Sequence, residues 1–422
     1  MQLVANFSKS PIVKNLSILV SGTVLAQIIV IGFQLILRRL YSPEDFGAFA
    51  VYMSVLGIVA TIASFRYEQA ILLPESNQKA FSVLMLSLLL AIFTFLVFQL
   101  FVLFFHSWMG TQLKLETSYQ FWLYFLPLSI FAFSLSQALN FFLIRVKLFG
   151  LSASNKGLRR IFEGGLQSVF GVFAKAFGLF AGDFLGQSVV VVRSLARLKL
   201  RKQYTFNKAE IAQVSRQYRD FPLKNGLPSL LNALSLMLPV LIINSKFSGE
   251  ITGYFDLARM VLIIPLSLVT ASLSQVLLQH FTEKRNAKKR IGSETLKTFL
   301  VLVTVALIFG LVIQFFGAPL FQWVFGVGWQ ASGQFASILV WAFALKFVVS
   351  PFNIVFTAFE KIGWLSIWQV VYFLLIIALN WLPVVSVEGF LKYYLVIELI
   401  SYAVAGTMDF AIICKYDKSI KP

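Results

Sequence analysis

Hydrophobic and polar positions along the chain fall into long blocks. Apolar stretches of about 20 residues recur throughout, separated by short polar segments, and a helix of that length crosses the roughly 30 Å of a bilayer's hydrocarbon core. The stretches lack the alternation of the roughly ten-residue strands of a membrane barrel. The pattern therefore predicts an all-α integral membrane protein with about twelve transmembrane helices. The predicted spans are 15–37, 45–66, 80–105, 119–144, 157–175, 178–197, 223–246, 252–279, 295–319, 331–357, 363–382 and 389–413.

Composition and charge support this prediction and orient the chain. Hydrophobic residues make up 58% of the 422 residues and charged residues 13%, which is not the composition of a soluble surface. Most of the 36 lysine and arginine residues fall on the side of the predicted bundle that holds both termini, so the positive-inside rule predicts cytoplasmic termini. The net charge of +18 follows from this bias and from attraction to anionic membrane lipids, and no nucleic-acid partner is predicted.

A short motif occurs twice. The sequence SPEDFGAF at 42–49 follows the first predicted span, and SGEITGYF at 248–255 follows the seventh, with serine, glutamate, glycine and phenylalanine at matching positions. An even number of spans between the copies gives both halves the same orientation. We expect two six-helix lobes related by a pseudo-twofold axis along the membrane normal. The predicted lobes are 1–198 and 222–422, joined by a basic cytoplasmic linker at 199–221.

Polar side chains recur at helical spacing on the first, second and eighth predicted spans. Such stripes arise either from close packing of helices through small residues or from a water-filled cavity. Glutamine and arginine in the same stripes favour a cavity shared by the two lobes. The residues predicted to line it are Thr23, Gln27, Gln34, Thr61, Ser267 and Thr270.

Three stretches resemble one known family. They are YRDFPLKNGLPSLLNALSLMLPVLI at 218–242, GYFDLARMVLIIPLSLVTASLSQVL at 253–277 and SPEDFGAFAVYMSVLGIVATIAS at 42–64. They resemble the Wzx-type lipid-linked oligosaccharide flippases of the polysaccharide-transporter family. The resemblance implies a fold like that of the multidrug and toxin extruders, with two lobes around a central cavity.

The function that this resemblance implies is alternating-access transport in the bacterial cytoplasmic (inner) membrane. The expected substrate is an undecaprenyl-pyrophosphate-linked oligosaccharide, moved from the cytoplasmic to the outer leaflet for O-antigen, capsule or exopolysaccharide synthesis. The expected partners are membrane lipids, a polysaccharide polymerase and other biosynthesis proteins.

Arginine and lysine residues in or beside the spans are candidates for binding the pyrophosphate. An arginine at the centre of a membrane helix costs about 2.5–3.5 kcal/mol on insertion scales, and its planar guanidinium suits a dense anion. The resemblance places such cations on spans one, two and eight. The predicted pyrophosphate-binding residues are Arg259, Arg38, Arg39, Arg66 and Lys346.

Each of these cations also has a structural alternative. The two arginines that end the first span could extend to the membrane interface. For Arg259, Arg66 and Lys346 the alternative is an ion pair, with Asp256, Glu68 and Glu398 respectively.

Two acids lie deep in predicted spans. Asp183 and Glu398 suit a coupling site for a proton or sodium ion, and neutralisation of nearby cations is the other interpretation. No cofactor, metal site or catalytic residue is predicted.

Two other functional classes remain open. A cation-coupled small-molecule exporter of the same fold would place acids rather than arginines in its cavity. A membrane enzyme such as a polysaccharide polymerase or ligase would need a constellation of catalytic groups, and His106 and His280 fall on opposite sides of the membrane.

Overall fold

Twelve long helices make up most of the part of the chain that the structure describes. The computed structural model describes residues 11–173, 177–198 and 204–420, with the backbone alone for 11–20, 265–267 and 271–272. The helices are α1 (Pro11–Leu40), α2 (Pro43–Ile62), α3 (Asn77–Gln112), α4 (Leu126–Arg145), α5 (Phe149–Phe173), α6 (Phe177–Leu198), α7 (Leu227–Lys246), α8 (Gly249–Asn286), α9 (Gly292–Phe325), α10 (Gln330–Val349), α11 (Ile362–Ala378) and α12 (Val387–Ser419).

The predicted all-α membrane architecture is confirmed. Within the described ranges, ten helical segments are long and apolar enough to cross a membrane, and α11 is a shorter apolar helix. The predicted span at 363–382 is too long, because α11 ends at Ala378. The predicted fifth span begins too late, since α5 already starts at Phe149 and carries Lys156, Arg159 and other charged residues within it.

The repeated motif marks two equivalent helix starts. Ser42 caps α2 by accepting a hydrogen bond from the Asp45 backbone N–H, and Ser248 caps α8 by accepting one from the Ile251 N–H. A serine oxygen in this position satisfies an N–H that has no partner inside the helix. The glutamate of each motif lies in the first turn, where a negative charge is favourable.

The described chain divides into two compact units, with the division inside α7. The N-terminal unit ends at Met237 and the C-terminal unit begins at Leu238. The predicted boundaries at 198 and 222 therefore stay a prediction.

In the N-terminal unit, α5 packs against both α1 and α6. A β-carbon added at Gly182 would lie 2.4 Å from the Gln167 side chain, and one at Gly186 would lie 2.9 Å from that of Glu163. Glycine therefore permits the close approach of α5 and α6, as small residues do between membrane helices. A short amphipathic helix, Lys208–Gln217, lies within the predicted linker at 199–221 and buries Ile211 and Val214 against this unit.

In the C-terminal unit, α10 is the central helix. It packs against α8, α9 and α12. A β-carbon at Gly333 would lie 2.3 Å from the Gly317 carbonyl oxygen, so α9 and α10 approach at backbone distance. Large apolar side chains stay on the surface of α9, among them Phe315 and Trp323, as expected for a helix facing lipid.

Candidate functional site

Three of the residues predicted from sequence meet inside the C-terminal unit. Lys346 on α10 lies 3.8 Å from Glu398 on α12, measured from Nζ to Oε2. Arg259 on α8 is close enough to Lys346 to interact with it electrostatically. Both cations are partly buried, whereas the Glu398 side chain is only 1% exposed. The predicted Lys346–Glu398 pair is confirmed.

Tyrosines surround this group and orient its charged atoms. The Tyr372 hydroxyl donates to Glu398 Oε1 at 2.6 Å, and Tyr394 also hydrogen-bonds Glu398. Tyr402 hydrogen-bonds Lys346, and its ring centroid lies 4.9 Å from the ammonium nitrogen. We call Arg259, Lys346, Glu398 and these three tyrosines the C-unit polar cluster.

Sequence reasoning missed the tyrosines. Tyr394, Glu398 and Tyr402 are spaced four residues apart and so share one face of α12. That spacing was visible in the sequence. The long-range partner Tyr372 was not.

A second group of predicted residues lies around a cavity in the N-terminal unit. The cavity has a volume of about 300 Å³, and Thr61 and Arg66 are among its lining residues. Thr61 donates to the Gly57 carbonyl oxygen at 2.7 Å within α2. Residues of α4 also line the cavity, namely Phe133, Ser134, Gln137 and Phe141.

The turn after α2 holds Arg66 in this cavity. Phe65 and Arg66 both have left-handed backbone conformations, with φ of 52° and 65°. Residues other than glycine rarely adopt these values. Arg66 Nη1 lies 3.6 Å from Glu68 Oε1, which confirms the predicted local pair, and Glu68 also accepts a hydrogen bond from Ser64. Among the described residues, Arg66 Nε has no hydrogen-bond partner.

The adjacent Tyr67 connects this turn to the helix Lys208–Gln217. Its hydroxyl donates to the Ser215 carbonyl oxygen at 2.8 Å. Burial raises the pKa of the Tyr67 phenol, so the hydroxyl stays a donor.

The residues of α1 that were predicted to line a cavity are partly buried within the N-terminal unit. Thr23, Gln27 and Gln34 are partly buried, and Thr23 accepts a hydrogen bond from Lys156 on α5 at 2.8 Å. Lys156 is a cation that the sequence assigned to a loop, because the start of α5 was placed too late.

The two arginines at the end of α1 differ. Arg38 is 2% exposed, donates to Gln34 Oε1 at 2.9 Å and lies over the Phe46 ring at 3.5 Å from its centroid. Arg39 is exposed.

On α8, Thr270 is partly buried, and the side chain of Ser267 lies outside the described part of the structure.

Asp183 is engaged in an ion pair between α5 and α6. Its Oδ1 accepts from Arg159 Nη2 at 3.1 Å, and the Asp183 side chain is 1% exposed. Glu163 pairs with both Arg159 and Arg160, at 3.5 and 2.8 Å.

A further buried acid escaped the sequence analysis. Asp409 on α12 is 0% exposed, and both of its carboxylate oxygens lack a hydrogen-bond partner among the described residues. It lies on the buried face of α12 that also carries Glu398. The sequence shows an acid within an apolar span, but its burial depends on which face of α12 packs inward. Among the described residues, no group of three or more histidine, cysteine or acidic side chains could hold a metal ion.

Solved structures share this fold. The chain superimposes on an inward-facing multidrug resistance MATE family transporter of the MOP superfamily with a TM-score of 0.71, 15% identity and coverage of 94% of this chain and 96% of that one. For the lipid II flippase MurJ in an inward closed conformation, the TM-score is 0.74 at 11% identity, with 94% and 89% covered.

A third similar structure is a MOP superfamily transporter from Pyrococcus furiosus whose binding pocket is described as having reverse polarity. It matches with a TM-score of 0.56 at 15% identity, with 96% of this chain and 94% of that one covered.

Sequence comparison identifies the family. No curated protein matches the chain. A family model described as polysaccharide biosynthesis protein matches residues 36–334, which is more than half of the sequence. The chain is therefore a member of this family of polysaccharide biosynthesis proteins, with the fold of the MATE transporters and the MurJ flippase.

Proposed function

We propose that the protein is a flippase for an undecaprenyl-pyrophosphate-linked oligosaccharide. It moves this lipid from the cytoplasmic to the outer leaflet of the bacterial inner membrane by alternating access, with both termini in the cytoplasm. The product supplies the polymerase and other proteins that build a surface polysaccharide. The observation that carries the proposal is the partly buried pair of cations Arg259 and Lys346 in a chain of the polysaccharide biosynthesis family.

The chemistry of a pyrophosphate fits the C-unit polar cluster. A guanidinium donates in a planar fork that matches phosphate oxygens, and an ammonium adds a compact point charge. Lys346 is held by Glu398 and Tyr402, so its position is fixed before any anion binds. In this arrangement Arg259 makes the bidentate contact and Lys346 supports it.

Arg66 is a second candidate for contact with the anionic lipid. It faces a cavity, its backbone conformation is fixed by the turn, and one of its nitrogens has no hydrogen-bond partner among the described residues. By contrast, Arg38 is packed against Gln34 and Phe46, which fits a structural role better than a role in binding the pyrophosphate.

Deletion of the gene tests the function in cells. We expect undecaprenyl-linked oligosaccharide to accumulate in the cytoplasmic leaflet and surface polysaccharide to disappear, with recovery of both when the protein is expressed again. Normal surface polysaccharide without precursor accumulation would contradict the proposal. Increased sensitivity to cationic drugs alone would support the alternative of a cation-coupled small-molecule exporter, which the likeness to MATE transporters favours.

Coupling to a proton or sodium gradient is assigned to buried acids. Asp183 and Glu398 remain the candidates from sequence, and both already contact a cation. We add Asp409, because its carboxylate is buried and lacks a hydrogen-bond partner among the described residues. An uncompensated buried carboxylate is costly, so it favours binding a proton or a metal cation.

Amide substitutions distinguish the three acids. We expect Asp409→Asn to retain substrate binding but lose gradient-driven transport in reconstituted vesicles, with smaller losses for Asp183→Asn and Glu398→Gln. Glu388→Gln is the matched control, because Glu388 is an exposed acid on the same helix as Asp409. If transport by Asp409→Asn keeps its full gradient dependence across pH and sodium concentration, this acid has no role in coupling.

A further inference from the structure

A pocket separate from the candidate substrate site lies where α11 begins and α12 ends. Its volume is about 240 Å³, and it is lined by Phe356, Lys361, Trp364, Met408, Ile412 and Lys415, among others. Lys361 immediately precedes the apolar helix α11, and Lys415 lies in the last turns of α12. These positions correspond to the boundary between the membrane and water.

The pocket is polar at one end and apolar at the other. Met408, Ile412 and Lys415 share a face of α12, with about 10 Å along the helix axis between the first and the last. The lysine is at the end towards the helix terminus, and the apolar side chains continue into the span. Trp364 is 59% exposed beside the pocket, as is common for tryptophan at a membrane interface.

The two lysines are not neutralised by the acids nearest to them in sequence. Glu360 pairs with Arg285 at 3.0 Å. Asp417 accepts from the backbone N–H groups of Ile291 and Gly292, at 2.9 and 2.8 Å. The positive charge of Lys361 and Lys415 is therefore available to an anion in the pocket.

The start of α11 adds to this positive potential. No side chain caps the helix, and its first turn contains no acidic residue. A helix N-terminus carries partial positive charge, so it favours an anion at the same place as the lysines.

We propose that this pocket binds one anionic glycerophospholipid. The phosphate lies between Lys361 and Lys415, and an acyl chain follows the apolar wall formed by Met408 and Ile412. A basic pocket between membrane helices at the interface has the chemistry that recognises such head groups. The proposal requires only that α11 and α12 lie in a membrane, so it does not depend on the transported substrate.

Native mass spectrometry of the purified protein, released from nanodiscs that contain phosphatidylglycerol and phosphatidylethanolamine, tests this inference. We expect the wild type to retain one phosphatidylglycerol. The double variant Lys361→Gln and Lys415→Gln should retain it about 30-fold more weakly, because each pocket lysine beside the lipid phosphate contributes roughly a fivefold gain in affinity. Lys208→Gln with Lys288→Gln removes the same charge from exposed lysines that do not line the pocket and should not change retention.

Three results would overturn the proposal. They are equal retention of phosphatidylglycerol by the double variant and the wild type, equal retention of phosphatidylethanolamine, and displacement of the lipid by inorganic phosphate alone, which would indicate a site for free phosphate. Thermal unfolding of both double variants establishes that they are folded. A further variant, Met408→Lys, keeps the lysines but places a charge on the acyl-chain wall, and we expect it to reduce retention as well.

Discussion

Replacement of Arg259 by alanine will abolish transport of the lipid-linked oligosaccharide while the protein remains folded and inserted. Loss of one partner of a desolvated charge contact costs about 2–5 kcal/mol, which lowers affinity by at least roughly thirtyfold. Arg259→Lys should recover only part of the activity, because a point charge cannot make the bidentate contact with two phosphate oxygens. The measurement is restoration of surface polysaccharide in the deletion strain, normalised to the amount of inserted protein.

The neighbouring Asp256 supplies the discriminating control. If Arg259 serves only to balance Asp256, the double variant Arg259→Ala with Asp256→Ala should regain function, whereas a ligand-binding role predicts continued loss. Arg290→Ala removes an exposed arginine from a loop and should leave transport unchanged. Rescue by the double variant would contradict the assignment of Arg259 to the pyrophosphate.

Replacement of Arg159 by leucine will destabilise the protein by about 3–5 kcal/mol. Asp183 is buried and accepts from Arg159 at 3.1 Å, so the variant leaves a carboxylate in the interior without its cation. We expect a large fall in the unfolding temperature in detergent and in the yield of folded protein. The double variant Arg159→Leu with Asp183→Leu should recover most of this stability, because both charges are then removed.

An exposed ion pair is the matched control for Arg159. Lys224 and Asp220 are 2.7 Å apart, but their side chains are 73% and 60% exposed. Lys224→Leu should therefore leave the unfolding temperature almost unchanged, because water solvates the remaining carboxylate. If Arg159→Leu were equally harmless, the ion pair between α5 and α6 would not stabilise the unit, and Asp183 would have to be stable without its cation.

The helices were predictable because their signal is local. An apolar stretch of sufficient length identifies a span whatever its neighbours are. The serine motif was predicted only as a repeat, and the structure shows that each copy begins a helix with a serine N-cap. The exception is α5, whose charged residues contact the neighbouring helices α1 and α6. Arg159 reaches Asp183 and Lys156 reaches Thr23, so charges that lower the hydropathy of the helix are satisfied by tertiary contacts.

The candidate sites were only partly predictable, because some of their contacts join residues that are far apart in the sequence. Arg66 lies two residues from Glu68, so their ion pair was an alternative visible in the sequence, and the structure contains it. The hydrogen bond from Tyr372 to Glu398 joins two helices, and no local pattern indicates it. The burial of Asp409 likewise depends on which face of α12 packs inward. An apolar helix does not reveal that face through its hydrophobic pattern.

Direct observation of lipid movement by the purified protein tests the proposed function most sharply. The substrate is undecaprenyl-pyrophosphate-linked oligosaccharide extracted from the deletion strain, reconstituted with the protein in vesicles, and the readout is the fraction of glycan accessible to a membrane-impermeant lectin. We predict that the wild type exchanges the lipid between leaflets, and that vesicles with Arg259→Ala match protein-free vesicles. An unchanged lectin-accessible fraction with folded wild-type protein, under imposed proton and sodium gradients, would contradict the proposal that this protein is a lipid-linked oligosaccharide flippase.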